Sequence, residues 1–314
     1  MHFAHLFCIF DFVEDRLHLG KTQINLVFLS ICTTFVIEMK QVRPKKNLGQ
    51  HFLTDLSIAK RIADTVDTPY SDLPVLEVGP GMGVMTQYLV EKPRPFKVVE
   101  IDRESVAYLN EHFPKLRENI LGEDFLRMDL QKVFDGQQFV LTGNYPYDIS
   151  SQIFFKMLDN KDLIPCCTGM IQREVALRIA SEPGTKAYGI LSVLIQAWYD
   201  VEYLFTVEPD VFNPPPKVQS AVIRMTRNKV AHLDCDENLF KRVVKTVFNQ
   251  RRKMLRVSLR QLFNSANPAP DGFFDHEIMT KRPEQLTIAQ FVDLTNMVEK
   301  ALCVRTQNFD VGQE

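Results

Sequence analysis

Pro74-Val-Leu-Glu-Val-Gly-Pro-Gly-Met-Gly83 runs from a short β-rich segment straight into a turn of three glycines. A buried strand ending in a glycine turn is the signature of a nucleotide-type binding loop. Without Cβ atoms at Gly79, Gly81 and Gly83, a ligand approaches the backbone closely. The spacing is GxGxG, with Val84 where the dinucleotide fingerprint GxGxxG carries its last glycine, so the loop alone does not name its ligand.

Upstream, Asp55 caps an apolar stripe of Leu56, Ile58, Ala59, Ile62, Ala63 and Val66, which predicts a helix before the first strand. Downstream, helical character over Met85–Glu91 leads to a second β-rich run, Phe96–Ile101, completing a βαβ unit. A helix near Glu104–His112, strands near Ile120–Gly122 and Gln138–Thr142, a helix after Ile149 and a strand at Thr168–Gln172 extend the pattern. Such alternation predicts an α/β fold with a mostly parallel sheet covered on both faces. Val201–Val207 and Ser220–Met225 flank a turn-heavy stretch and are expected to close the sheet as an antiparallel pair. Beyond Asn228 the character turns helical, with Leu239, Val243, Val244 and Val247 on one stripe.

At 314 residues the chain is long enough for two domains. The expected division is a binding domain over residues 39–228 and a small helical domain over 229–314. Residues 1–38 read differently: the apolar run Ile24–Ile37 is 14 residues long, short of the roughly 20 that span a bilayer. Met39 opens a polar stretch resembling a protein start, so residues 1–38 are expected to be an extension without a role in the fold. Six cysteines without CxxC spacing and seven histidines without an HxxxH pair predict no metal site and reduced, cytoplasmic thiols. A formal net charge of -2 gives no global pull towards polyanions. Charge is uneven, however: Lys241–Arg260 carries eight Lys or Arg and no acid, and Lys40, Arg43, Lys45 and Lys46 form a second basic group.

The chemistry is concentrated at strand ends. Glu100 follows the second strand about 20 residues after the loop, where a carboxylate binds ribose hydroxyls. Asp124 lies beyond the third, placed to accept a hydrogen bond from an adenine amino group. Together they point to an adenosine-containing ligand. Gly143-Asn-Tyr-Pro-Tyr-Asp148 then ends the fourth strand. The lone pair of adenine N6 is delocalised into the ring, so the amino group is a poor nucleophile. The Asn144 side-chain oxygen and a carbonyl at the Pro146 turn would accept its two N–H bonds and direct the nitrogen at a sulfonium methyl. Tyr147 would stack on the base. Phe212, in Phe212-Asn-Pro-Pro-Pro-Lys217, is either a second ring clamping a flipped base or a core residue of a Pro-rich connector. Asn249-Gln-Arg-Arg-Lys-Met254 suits phosphate contacts or forms a solvated helix face.

Six separated motifs resemble the ribosomal RNA adenine N6,N6-dimethyltransferases: Lys45–Leu53, Leu76–Gly83, Val99–Asp102, Gly143–Ser150, Phe212–Val222 and Phe248–Leu255. The resemblance implies a Rossmann-like S-adenosylmethionine methyltransferase sheet with a small C-terminal helical domain. It also implies that His51, Leu53, Gly79, Gly81, Glu100, Asp124 and Asn144 hold the cofactor, His51 through its backbone. Catalysis would fall to Asn144, Pro146, Tyr147 and Phe212, and RNA contact to Lys45, Lys46, Lys217, Arg251, Arg252 and Lys253. Tyr145 stands where the family more often has Leu, and Asp148 where it has Asn. Ala187–Phe205 and the compact tail resemble the bacterial small-subunit branch. That branch dimethylates two adjacent adenosines in a loop near the 3′ end of 16S RNA within the immature subunit, here expected of a monomer away from any membrane. Unpaired loop bases are the least costly to splay into a pocket. Two other readings remain open at this point: a methylase of large-subunit RNA or of DNA adenines, and an RNA-binding assembly factor.

Overall fold

Asp55 initiates the first helix as its side chain accepts from the backbone N–H groups of Ser57 and Ile58, and alternating strands and helices follow from there. The computed structural model of the chain describes residues 44–45, 50–265 and 267–303. The extension expected over residues 1–38 lies outside them, as does Lys46. In chain order the elements are β1 (Phe52–Leu53), α1 (Leu56–Asp64), β2 (Val75–Val78), α2 (Thr86–Leu89), β3 (Phe96–Val99), α3 (Arg103–His112), β4 (Ile120–Leu121), β5 (Val140–Asn144) and α4 (Ser150–Asp159). Then come β6 (Cys166–Gln172), α5 (Arg173–Ile179), α6 (Ile190–Gln196), β7 (Tyr199–Val207), β8 (Phe212–Asn213), β9 (Ser220–Arg227), α7 (Glu237–Asn249), α8 (Leu255–Ser258) and α9 (Ile288–Cys303).

Seven strands form one sheet in the order β4-β3-β2-β5-β6-β9-β7. The first five are parallel, and β9 enters antiparallel between β6 and β7. The antiparallel pair expected to close the sheet therefore does so. All four residues of β2 are buried, as a central parallel strand covered on both faces requires. Chain order reverses direction across the sheet at β2, whose neighbours are β3 and β5. In open α/β sheets the ligand crevice lies at such a switch, beyond the carboxyl ends of the strands. Gly79 and Asn144 sit there, one just after β2 and one at the end of β5.

Three local features depart from the sequence reading. The helix expected over Met85–Glu91 is a single turn, because the chain is still completing the glycine turn. Gly83 has φ +79°, and a Cβ on it would lie 2.4 Å from Cε2 of Phe113. A two-stranded ribbon pairs Phe52 with Asn213 and Leu53 with Phe212. Two-residue strands leave no periodicity to read. Finally, Gln250–Lys253 is a turn that follows α7, so the basic motif occupies a helix end and not a helix face.

The C-terminal helices do not carry a core of their own. Phe240 and Phe248 of α7 pack edge-on against Trp198 and Tyr188, at centroid distances of 6.0 and 6.2 Å, and Phe248 reaches Phe291 of α9 at 5.9 Å. One apolar cluster therefore runs from Leu76 of β2 to Ala301 of α9. Replacing a fully buried Phe by Ala costs about 3–5 kcal/mol. Phe240→Ala is expected to lower stability by about that amount while leaving a single cooperative transition. Calorimetric and spectroscopic melting curves check it; a separate early transition of the helical segment would contradict the shared core.

Candidate active site

Residues from five chain segments enclose a cavity of about 250 Å³ at the carboxyl ends of β2, β3, β4 and β5. Gly79, Pro80 and Gly81 supply one wall through their backbone. Gly79 and Gly81 have φ of +68° and +55°, in the left-handed region that glycine adopts at no steric cost. A Cβ at Gly81 would stand 3.0 Å from the Phe52 ring, which closes the cavity from β1.

The floor is acidic. Glu77 is 1% exposed and Glu100 is 5% exposed. Glu77 accepts a hydrogen bond from Oγ1 of Thr86 at 2.7 Å. Burial pushes its carboxyl up to about 8, against that hydrogen bond and with help from the charge of Glu100. Burial likewise raises Glu100, opposed by the backbone N–H groups of Asp102 and Gly81 that donate to its two oxygens at 2.9 and 3.1 Å. Each carboxylate oxygen keeps further lone pairs for the cavity. Asp124 caps its own turn by accepting from the N–H of Leu126 at 2.9 Å. Ile101, 56% exposed and on the cavity lip, offers an apolar face to a planar ring. Two buried carboxyl groups on one cavity floor, Glu77 held protonated by its burial, can take up a positively charged ligand by releasing a proton as it binds. S-adenosylmethionine, with a sulfonium and an ammonium on an adenosine, fits that donor set: Glu100 would take its hydroxyls, Ile101 and Asp124 its adenine, and Glu77 its cationic end.

Asn144 stands opposite. Its Nδ2 donates to the backbone carbonyl of His51 at 3.2 Å. That bond turns the amide so that Oδ1 is left as an acceptor. The carbonyl of Pro146 accepts from the N–H of Ile149 at 3.2 Å and retains a second lone pair. Tyr147 is held by a hydrogen bond between its hydroxyl and Oγ of Ser220, and its ring stacks on His51 at 5.6 Å and 27°. The His51 ring is fixed in turn by Nδ1 against the carbonyl of Pro214 at 2.8 Å.

The cavity thus brings together His51, Leu53, Gly79, Gly81, Glu100, Asp124, Asn144, Pro146 and Tyr147. It does not bring Phe212. That ring is 4% exposed and packs in an apolar cluster with Leu53, Val207 and Val222, because β8 pairs with β1 and turns it inward. Of the two readings left open for it, the core ring is the one observed; the aromatic neighbour of Tyr147 is His51. Among the basic residues, Lys45 is engaged elsewhere: its Nζ lies 2.5 Å from Asp102 and 3.1 Å from Glu104, so its charge is neutralised within the fold. Arg251 donates to the carbonyl of Thr185 at 3.2 Å and sits 4.0 Å from Glu284. Lys217, Arg252 and Lys253 are exposed. No group of three His, Cys, Asp or Glu suited to a metal ion, and no helix long and apolar enough to cross a membrane, occurs among the described residues. Glu77 also lines the cavity, and a lone carboxylate inside the apolar run Val75–Val78 is its signal in the sequence.

The chain is similar to known proteins in sequence and in fold. The family described as Ribosomal RNA adenine dimethylase matches residues 41–300. A protein of Bacteroides fragilis named Ribosomal RNA small subunit methyltransferase A is 66% identical over 266 residues, spanning 85% of this chain and 96% of that protein. The protein of the same name from Bacteroides thetaiotaomicron is 65% identical over 268 residues, spanning 85% and 98%. Among solved structures, a dimethyladenosine transferase from Plasmodium falciparum superposes with a TM-score of 0.65 at 22% identity, covering 80% of this chain and 97% of that one. The 23S rRNA methyltransferase ErmE gives 0.56 at 27% identity, covering 79% and 99%.

A Glu protonated when folded and ionised when unfolded makes stability fall as pH rises between its two values, here from 4.5 to about 8. Melting temperature is expected to decline over that window. Glu77→Gln, which stays neutral, should decline less steeply; parallel profiles of the two proteins would contradict the raised value.

Proposed function

The chain belongs to the ribosomal RNA adenine dimethylase family, and from that premise we propose that it dimethylates N6 of two adjacent adenosines near the 3′ end of small-subunit (16S) ribosomal RNA. The high identity to proteins named Ribosomal RNA small subunit methyltransferase A supports the choice of subunit. The work takes place in the cytoplasm, late in small-subunit assembly, and the enzyme acts as a monomer. Residues 39–228 carry the transfer chemistry and 229–314 the RNA-contacting helices.

The observation that carries this reading is the orientation of Asn144. S-adenosylmethionine, when bound, supplies an electrophilic methyl group on a positive sulfur. The protein's task is to make a weak nucleophile meet it. Asn144 Oδ1 and a carbonyl of the turn at Pro146 accept the two N–H groups of the target adenine, which draws the nitrogen out of conjugation with the ring. Tyr147, immobilised through Ser220, holds the base in line. Fixed orientation of this kind replaces an entropic cost that reaches several kcal/mol in solution. Once methylated, the positively charged nitrogen is acidic enough to release a proton to water or to the same carbonyl. The first methylation leaves one N–H, so in the second transfer one of the two acceptors holds it and the new methyl group stands where the other N–H had been.

Immature small subunits lacking the modification, incubated with the protein and labelled cofactor, are expected to acquire label in 16S RNA. Asn144→Ala should reduce transfer by about 10² or more while subunit binding stays within about twofold. Label in 23S RNA alone would overturn the substrate, and unaltered transfer by the variant would overturn the mechanism.

Lys217, Arg252 and Lys253 are the cations we assign to backbone phosphates. Each phosphate that a side chain neutralises contributes about one unit to the slope of log affinity against log salt. Arg252→Ala with Lys253→Ala is accordingly expected to weaken subunit binding and flatten that slope by about two. Binding titrations at several salt concentrations check it, and an unchanged slope would assign the phosphates to other residues.

A further inference from the structure

Tyr145, the residue between Asn144 and Pro146, does not face solvent or stack on the base: it is 1% exposed. Its ring folds back over its own strand. Gly143 of β5 and Gly169 of β6 are register partners; a Cβ on either would first meet a backbone carbonyl, that of Val78 or of Gly143, and the Tyr145 ring packs over the pair. A Cβ at Gly169 would lie 2.7 Å from Cε2 of Tyr145, and one at Gly143 would lie 3.3 Å from Cε1. The ring also makes edge contact with Phe154 of α4, at 5.6 Å and 74°. The hydroxyl at the far end donates to the carbonyl of Thr168 at 3.0 Å and lies 3.2 Å from Sγ of Cys167. The main-chain N–H of the same residue donates to the carbonyl of Met170 at 3.0 Å. One residue is therefore fastened to β6 at both ends, through its backbone at Met170 and through its ring two residues earlier along the strand.

We propose that Tyr145, with the facing glycines Gly143 and Gly169, is a positioning device that fixes the height of the Asn144–Pro146 turn over the sheet. The inference rests on the reading of Asn144 as the group that grips the target amine. Side chains on either side of Tyr145 must be placed within a fraction of an ångström for the transfer geometry, and a displacement of about 1 Å costs on the order of 10²-fold in rate. The ring is the part that sets the height, because it packs over the two glycines; the hydroxyl bond locks it there. A smaller side chain leaves the space over two glycines empty, and a turn with no such prop relaxes towards the sheet.

Two readouts on Tyr145→Phe, Tyr145→Leu and Tyr145→Ala test this. The first is hydrogen exchange of residues 143–149 in the cofactor-bound protein. Leu and Ala are expected to speed exchange there by about tenfold, and Phe to restore most of the protection. The second is methyl transfer to small-subunit RNA. Leu and Ala should lower kcat by about tenfold or more with the cofactor Kd within about twofold of wild type, and Phe should recover most of the loss. If the Ala variant does not fold, the Leu variant, which keeps apolar bulk over the glycines, carries the comparison. A folded Leu variant with wild-type exchange and wild-type kcat overturns the proposal. Absence of transfer by the wild-type protein would instead refute the functional reading, and the exchange data would still decide the role of Tyr145.

Discussion

One hydrogen bond, from Nδ2 of Asn144 to the carbonyl of His51, decides which end of the Asn144 amide is left to accept. An amide rotated by half a turn would present a donor to an amine that also donates, and nothing would draw the nitrogen lone pair out of the ring. The two partners lie 93 residues apart in sequence. Bringing them together takes the whole architecture: β5 must run in the centre of the sheet to end at the switch, and the β1–β8 ribbon must carry His51 across its end. The ribbon is therefore as much a part of the site as the sheet, although it contributes only two residue pairs.

Charge is divided between the inside of the cavity and its surroundings. The buried carboxyl groups of Glu77 and Glu100 form a floor that can answer a cationic ligand by giving up the proton that burial keeps on Glu77. Outside, Lys217, Arg252 and Lys253 remain exposed, whereas Lys45 and Lys241 are consumed in ion pairs with Asp102 and Asp159. A formal net charge of -2 conceals this segregation. A polyanion is met by a few exposed cations and a methyl donor by a few buried carboxyl groups, and neither requires the whole chain to be basic or acidic.

The sheet and the strand-end residues are legible in the sequence because both follow local rules. Buried strands read as short apolar runs, and Gly79, Glu100, Asp124 and Asn144 each follow such a run at its carboxyl end. What cannot be read depends on partners distant in sequence. Phe212 sits beside three prolines in a segment that suits a clamp, but its pairing with Leu53 turns the ring inward. Lys45 belongs to a basic cluster by composition and to an ion pair by position. The basic motif at Asn249–Met254 continues a helical pattern by composition, whereas α7 ends at Asn249 and the arginines fall in the turn beyond it. Tyr145 in sequence is only one more aromatic residue beside Asn144; the register of Gly143 against Gly169 is what shows where its ring packs.

The Oδ1 atom of Asn144 decides the chemistry, and a crystal structure of the protein with adenosine and S-adenosylhomocysteine would show what it accepts from. Oδ1 of Asn144 is expected within hydrogen-bonding distance of adenosine N6, with Nδ2 still on the carbonyl of His51. A complex in which the amide has turned, or in which N6 is held by other acceptors while Asn144 faces away, would contradict this role for Asn144.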